Sequence, residues 1–195
     1  MIASFVVSCK AGLAEADRLN LANTPLQSVD DMFAVRTKNG TVTMRMEAPR
    51  MEHYVTDTNS YDIFPKGLSV YGYNDDGLLE TVIVSNNAKH VTSKVSGKED
   101  IWSAFGNVVI HNVIKLETME TDTIYWDQKA KEIWTDCYIK MYSGSGFMQG
   151  YGMRSDEMAR NSIILRPFDS YGYVEQDTTK VVIDTVNFIG PLLKK

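Results

Sequence analysis

Cysteine is scarce in this chain. Cys9 and Cys137 are two residues far apart, and no disulfide framework can be read from them. No run of eighteen or more apolar residues occurs, so the sequence offers no membrane-spanning helix. Basic residues are in the minority. Twenty Lys and Arg against 25 Asp and Glu give a net charge of -5, which argues against a nucleic-acid partner, whose phosphates need a basic surface. Local patches can still meet an anion. Catalytic signatures are missing too: there is no Gly-x-Ser-x-Gly elbow, no His-Glu-x-x-His and no paired-cysteine motif. His53, His90 and His111 sit singly, with no carboxylate or cysteine at ligand spacing, so no metal or other cofactor is expected. Asp122, Asp127, Asp136 and Asp156 recur at strand ends, where aspartate ordinarily caps turns. Paired carboxylates can hydrolyse glycosides, but no catalytic residue is assigned and the protein is expected not to be an enzyme. Ser145 lies between turn glycines, and Cys137 beside Asp136 reads as a buried small hydrophobe rather than an activated thiol.

What the chain has is strand-forming material. Ten Tyr, seven Phe, three Trp and many Val, Ile and Thr favour an all-β fold. From Met32 the apolar residues alternate: Phe33 and Val35, then Val42, Met44 and Met46 after Asn39-Gly40. Asn-Gly between two alternating runs signals a hairpin, because both turn residues must tolerate positive φ. Asn74–Gly77 predicts a second hairpin, between Leu68–Tyr73 and Leu78–Val84. Asp127–Glu132 predicts a third, between Thr121–Trp126 and Ile133–Asp136. Ser143–Gly146 predicts a fourth, between Tyr138–Tyr142 and Phe147–Gly152.

Two strand types alternate at a period of about 30 to 40 residues. One comprises Met44–Met51, Thr81–Val91, Glu117–Tyr125 and Gln149–Met158. The other comprises Gly67–Tyr71, Gly106–Ile110 and Asp136–Lys140. Repeats that cannot bury their own apolar faces must stack. The expected outcome is a set of stacked antiparallel β-repeats with two open ends, each an edge able to take another strand.

The termini differ from this body. Met1–Cys9 is an apolar run ending in Val-Val-Ser before a cysteine, and resembles the end of a bacterial lipoprotein signal peptide with Cys9 as the lipidated residue. It is too short for a full signal, which suggests that the true start lies upstream and that Met1 is internal. The expected organisation is a signal-like segment over residues 1–9, a tether over 10–31, a β-domain over 32–158 and a C-terminal extension over 159–195. Within that extension residues 180–186 could add one strand.

Gly106-Asn-Val-Val-Ile, Met119-Glu-Thr-Asp-Thr-Ile-Tyr-Trp-Asp127, Ile133-Trp-Thr-Asp-Cys137 and Phe147-Met-Gln-Gly-Tyr-Gly-Met153 follow in that order. Together they resemble the LptC family, whose members share an OstA/LptA-like fold. The resemblance covers roughly residues 68–158. It implies a twisted, boat-shaped β-jelly roll in the periplasm, anchored to the inner membrane through the N-terminus. It also implies a non-enzymatic role: binding lipopolysaccharide, taking it from the LptBFG transporter and passing it to an LptA-like protein by edge-to-edge β-augmentation. Alternation then nominates Val42, Met44, Met46, Leu68, Val70, Val82, Val84, Ile139 and Met141 as the lipid-binding groove. A dry packed core would write the same alternation. An envelope lipoprotein that scaffolds other proteins or binds glycans is the other reading, and Trp102, Trp126 and Trp134 would serve it if they faced solvent. Lys89, His90, Lys94 and Lys98 could meet glycolipid phosphates, or simply form a solvated hairpin.

Overall fold

The computed structural model describes residues 24–56, 59–93 and 100–172. Cys9, Lys94, Lys98 and the strand suggested for residues 180–186 lie outside the described residues. Among the described residues eleven strands form one antiparallel sheet: β1 (Gln27–Lys38), β2 (Thr41–Val55), β3 (Asn59–Phe64), β4 (Leu68–Tyr73), β5 (Leu79–Ser85), β6 (Asn87–Ser93), β7 (Ile101–Asn112), β8 (Glu117–Asp127), β9 (Glu132–Ser143), β10 (Gly146–Asp156) and β11 (Ile163–Gly172). This is the all-β architecture of a β-jelly roll. All four expected hairpins form, and Asn39 and Gly40 both take positive φ, at 53° and 84°.

The topology is a meander of long strands broken at their middles. β3 and β4 run in one direction along β2, interrupted at residues 65–67. β5 and β6 are likewise one course along β7, interrupted only at Asn86. The two strand types seen in the sequence are therefore the two directions of this meander. The breaks line up across the sheet. On β7 the register shifts between Phe105 and Val108, where Gly106 and Asn107 sit at φ 76° and 50°. On β8 it shifts between Thr121 and Tyr125, and on β10 between Tyr151 and Met153. Bulges of this kind bend a strand and increase its twist. The bend brings the inner faces of the two half-sheets together. Val108, Ile110, Met119 and Ile139 from one half share a buried cluster with Ile124, Trp126 and Ile133 from the other. A second cluster, Ala48, Phe64, Leu68 and Ala88, is joined to it through Met46, Val70, Trp102 and Ala104. Each fully buried large side chain contributes about 1.5–3 kcal/mol.

Several local expectations are corrected. β9 is one strand, although the sequence pattern suggests two. Its register slips at Asp136-Cys137, where the Cys137 N–H donates to Thr135 Oγ1 at 3.0 Å, and pairing resumes beyond. The same slip leaves Cys137 half-buried rather than buried. β1 begins at Gln27, inside the segment read as a tether, because Gln27–Asp30 pair with Arg50–His53. β11 lies within the segment read as a C-terminal extension, because a groove of close backbone approach on β10 receives it. A Cβ on Gly150 would stand 2.5 Å from Arg166 O and from Ile164 Cγ2.

Candidate functional site

The bent sheet leaves a cleft of about 570 Å³ between its two halves, within the roughly 300–1,000 Å³ typical of small-molecule sites. One wall carries Met44 from β2, Leu68 and Val70 from β4 and Ile83 from β5. The other carries Ala88 from β6, Trp102 and Ala104 from β7, Ile124 and Trp126 from β8 and Ile133 from β9. The rim is charged. Arg36 and Lys38 come from β1, Asp75 from the β4–β5 turn, Lys131 from the β8–β9 turn, and Glu157 and Arg160 from the β10–β11 connection.

That connection is clasped across the sheet. Thr81 Oγ1 donates to Met158 O at 2.6 Å, and Asn112 Nδ2 donates to Ala159 O at 3.2 Å. Arg160 Nε and Nη2 meet the two carboxylate oxygens of Glu80 at 2.5 and 2.6 Å. The loop is shaped by Asp156, whose Oδ1 accepts the Met158 and Arg160 N–H groups. Asp127 does the same for Lys129 and Ala130 in the β8–β9 turn. These two strand-end aspartates hold turns. Met158 lies against Gly72, where a Cβ would approach its Cε to 3.3 Å.

The nine nominated groove residues fall into three groups. Met44, Leu68 and Val70 line the cleft. Met46, Ile139 and Met141 belong to the packed interior beside it. Val42 is half-buried off the cleft wall, while Val82 and Val84 lie on the opposite face of β5 from Ile83, with Val84 42% exposed. Alternation alone favours Val82 and Val84 because their face is the more apolar. The inner face holds Thr81, Ile83 and Ser85, and Thr81 is accommodated there by its bond to Met158. A slip of one residue exchanges the two faces completely. The residues missed from the sequence, Trp102, Ala104, Ile124, Trp126 and Ile133, come from the other half-sheet. Their signal was the same period-two pattern, hidden by the bulges that shift its phase. Trp102 and Trp126 face inward and are not solvent platforms. Trp134 stacks on Tyr125 at 5.5 Å with the Arg154 guanidinium over it at 5.7 Å.

A polar row continues the Trp wall. His53, Asp62, His90, Trp102 and Trp126 are successive cross-strand partners on β2, β3, β6, β7 and β8. His53 Nδ1 meets Asp62 Oδ1 at 2.6 Å, His90 Nδ1 meets Asp62 Oδ2 at 3.3 Å, and His90 Nε2 bonds Asp100. The His90 ring stacks on Trp102 at 4.1 Å. Burial pushes the His90 imidazole down, but the hydrogen bonds to Asp62 and Asp100 outweigh it and hold it above the ordinary histidine range. The bond from His90, opposed by burial and joined by His53, holds the Asp62 carboxyl below the usual range. His53 and His90 therefore do not sit singly. Their carboxylates arrive through strand register, which sequence spacing does not display. Lys89 stands over the Tyr61 ring at 4.7 Å.

β1 pairs only with β2 and β11 only with β10 among the described residues, so the sheet has two open edges. Both expose apolar side chains: Phe33 and Val35 on β1, and Ile163, Leu165 and Phe168 on β11.

A model of the lipopolysaccharide-assembly, LptC-related family matches residues 4–165, well over half of the chain. No curated protein matches.

Proposed function

The chain belongs to the LptC family and so takes part in lipopolysaccharide transport, and from that premise we propose that it receives lipopolysaccharide from the inner-membrane LptBFG transporter and passes it to an LptA-like partner. The family is one of periplasmic, inner-membrane-associated transport components. The observation that carries the proposal is the cleft: apolar walls and a charged rim, in a sheet whose two edges are open among the described residues. Acyl chains held against Met44, Leu68, Val70 and Ile83 stay out of water, which is worth roughly 25 cal/mol per Å² of apolar surface. The charged rim suits a solvated saccharide. Partners add strands at β1 and β11 by backbone hydrogen bonding, which requires only an unpaired edge. Of the nine residues nominated for the lipid path, Met44, Leu68 and Val70 stay in it, Ile83 and the Trp wall join it, and Val42, Met46, Val82, Val84, Ile139 and Met141 leave it.

Anchorage is assigned to a lipid on Cys9. Intact mass of the protein from its native membrane fraction tests this, and an unmodified Cys9 overturns it. The transport reading is tested by photocrosslinking in living cells from Met44, Leu68 and Val84. Lipopolysaccharide adducts are expected from the first two and not from Val84, which faces outward. No adducts from Met44 and Leu68 in a well-expressed protein would overturn it.

A further inference from the structure

Trp102 and Trp126 are direct cross-strand partners, with ring centroids 6.3 Å apart and planes inclined by 37°. Both rings line the cleft, and Trp126 is only 9% exposed. Both Nε1–H groups are shut off from solvent and have no acceptor among the described residues. An indole nitrogen can only donate, and a buried one normally finds a partner, since leaving it unmet costs more than an ordinary hydrogen bond returns. Two such groups side by side, in the wall of a cavity, are the exception that calls for a reason. The facing side chains Met44, Leu68 and Val70 offer no oxygen. They do offer give: an unbranched thioether and aliphatic chains adjust readily, leaving room for the indoles to turn toward an incoming group.

Hydrocarbon would leave both donors as they are, so an occupant that satisfies them carries an acceptor. Resting on the lipid-binding reading above, we infer that the Trp102–Trp126 pair is a donor site for the carbonyl of an acyl linkage, ester or amide, and so holds the junction where an acyl chain meets its headgroup. Lipopolysaccharide and acylglycerols both carry such carbonyls; an alkyl glycoside carries a sugar and a chain but none.

The test uses the full chain labelled with 15N at its indoles. The three tryptophans give three indole signals, and Trp134, outside the cleft, is the internal reference. The protein is titrated with lipopolysaccharide, a short-chain diacylglycerol, which has ester carbonyls and no phosphate, and an alkyl glycoside. The Trp102 and Trp126 Hε1 signals are expected to move downfield with acyl lipid and not with the glycoside. A response to both acyl lipids supports a general carbonyl site, and a response to lipopolysaccharide alone supports one specific to the glycolipid. Trp102→Phe or Trp126→Phe is expected to weaken acyl-lipid binding about five- to tenfold more than it weakens glycoside binding. Lipid that binds with no downfield shift, or variants that weaken all three ligands equally, overturns the carbonyl site while leaving the lipid cleft standing. Failure of every lipid to bind the unmodified chain overturns both.

Discussion

Arg160 and Glu80, eighty positions apart in the chain, are joined through two guanidinium nitrogens and both carboxylate oxygens, and Glu80 is only 4% exposed. The pair pins the β10–β11 connection over the cleft rim. Arg160 is half exposed, so its own charge stays hydrated and the pair is worth less than a fully buried one. Arg160→Ala, however, strands a buried carboxylate. The expected cost is about 2 kcal/mol, or roughly 4–8 °C in melting temperature for a domain of this size. Glu80→Gln, which leaves no buried charge, should cost less. A thermal melt in which the order is reversed would show that the carboxylate is not the group at risk.

Stability should depend on pH through Asp62 and His90. His90 is held above its ordinary range when folded, so its contribution is complete below about 6.5, the unfolded histidine value, and is lost as pH rises through the folded pKa. Asp62 is held below its range, so its contribution is complete above the unfolded carboxylate value of about 4 and is lost as pH falls through the folded one. The cluster therefore stabilises most between those limits. Urea midpoints measured across pH should fall on the alkaline side in the parent protein, and His90→Gln should flatten that limb. An unchanged limb in the variant would assign it to other groups.

Gly150 admits β11 at close range, and Gly150→Ala would drive a methyl into Arg166 O and Ile164. Because β11 makes no other strand pairing among the described residues, the damage should stay local. Hydrogen exchange is expected to accelerate over Ile163–Gly172 with little change in β7 and β8. Unaltered protection in β11 would mean the strand pair relaxes around the methyl.

Neighbouring positions on β5 should separate sharply. Ile83 packs against the core and lines the cleft, whereas Val84 is 42% exposed on the other face. Ile83→Ala is expected to cost about 2 kcal/mol, and Val84→Ala no more than about 0.5 kcal/mol. Denaturation midpoints decide it; equal losses would contradict the register of β5.

This last pair also marks where the sequence stops being legible. Asn39-Gly40, Asn74–Gly77, Asp127–Glu132 and Ser143–Gly146 announce four hairpins, because turn chemistry is local. Met44, Leu68 and Val70 could be found as cleft residues because their strands keep one phase from turn to bulge. Alternation phased β5 to the wrong face, since its inner side contains Thr81 and Ser85, and the polarity of Thr81 is met by a contact far away in the chain. The Trp wall was hidden for a related reason: the shift at Gly106-Asn107 adds a residue, and the pattern of β7 cannot be carried across it without knowing its partner. The His–Asp row depends entirely on register between β2, β3, β6 and β7.

The meander has a consequence for how the chain is made. Nearly every strand pairs with the one before or after it, so each addition closes only a short loop, and topologies with local pairing fold comparatively fast. A polypeptide emerging from a translocation pore in an extended state can thus lay down the sheet in order, from the first hairpin onward. The bonds that join Met158, Ala159 and Arg160 to Thr81, Asn112 and Glu80 must wait for the far end. Until they form, the growing sheet has its clasp open, and the cavity rim is completed only when that connection docks.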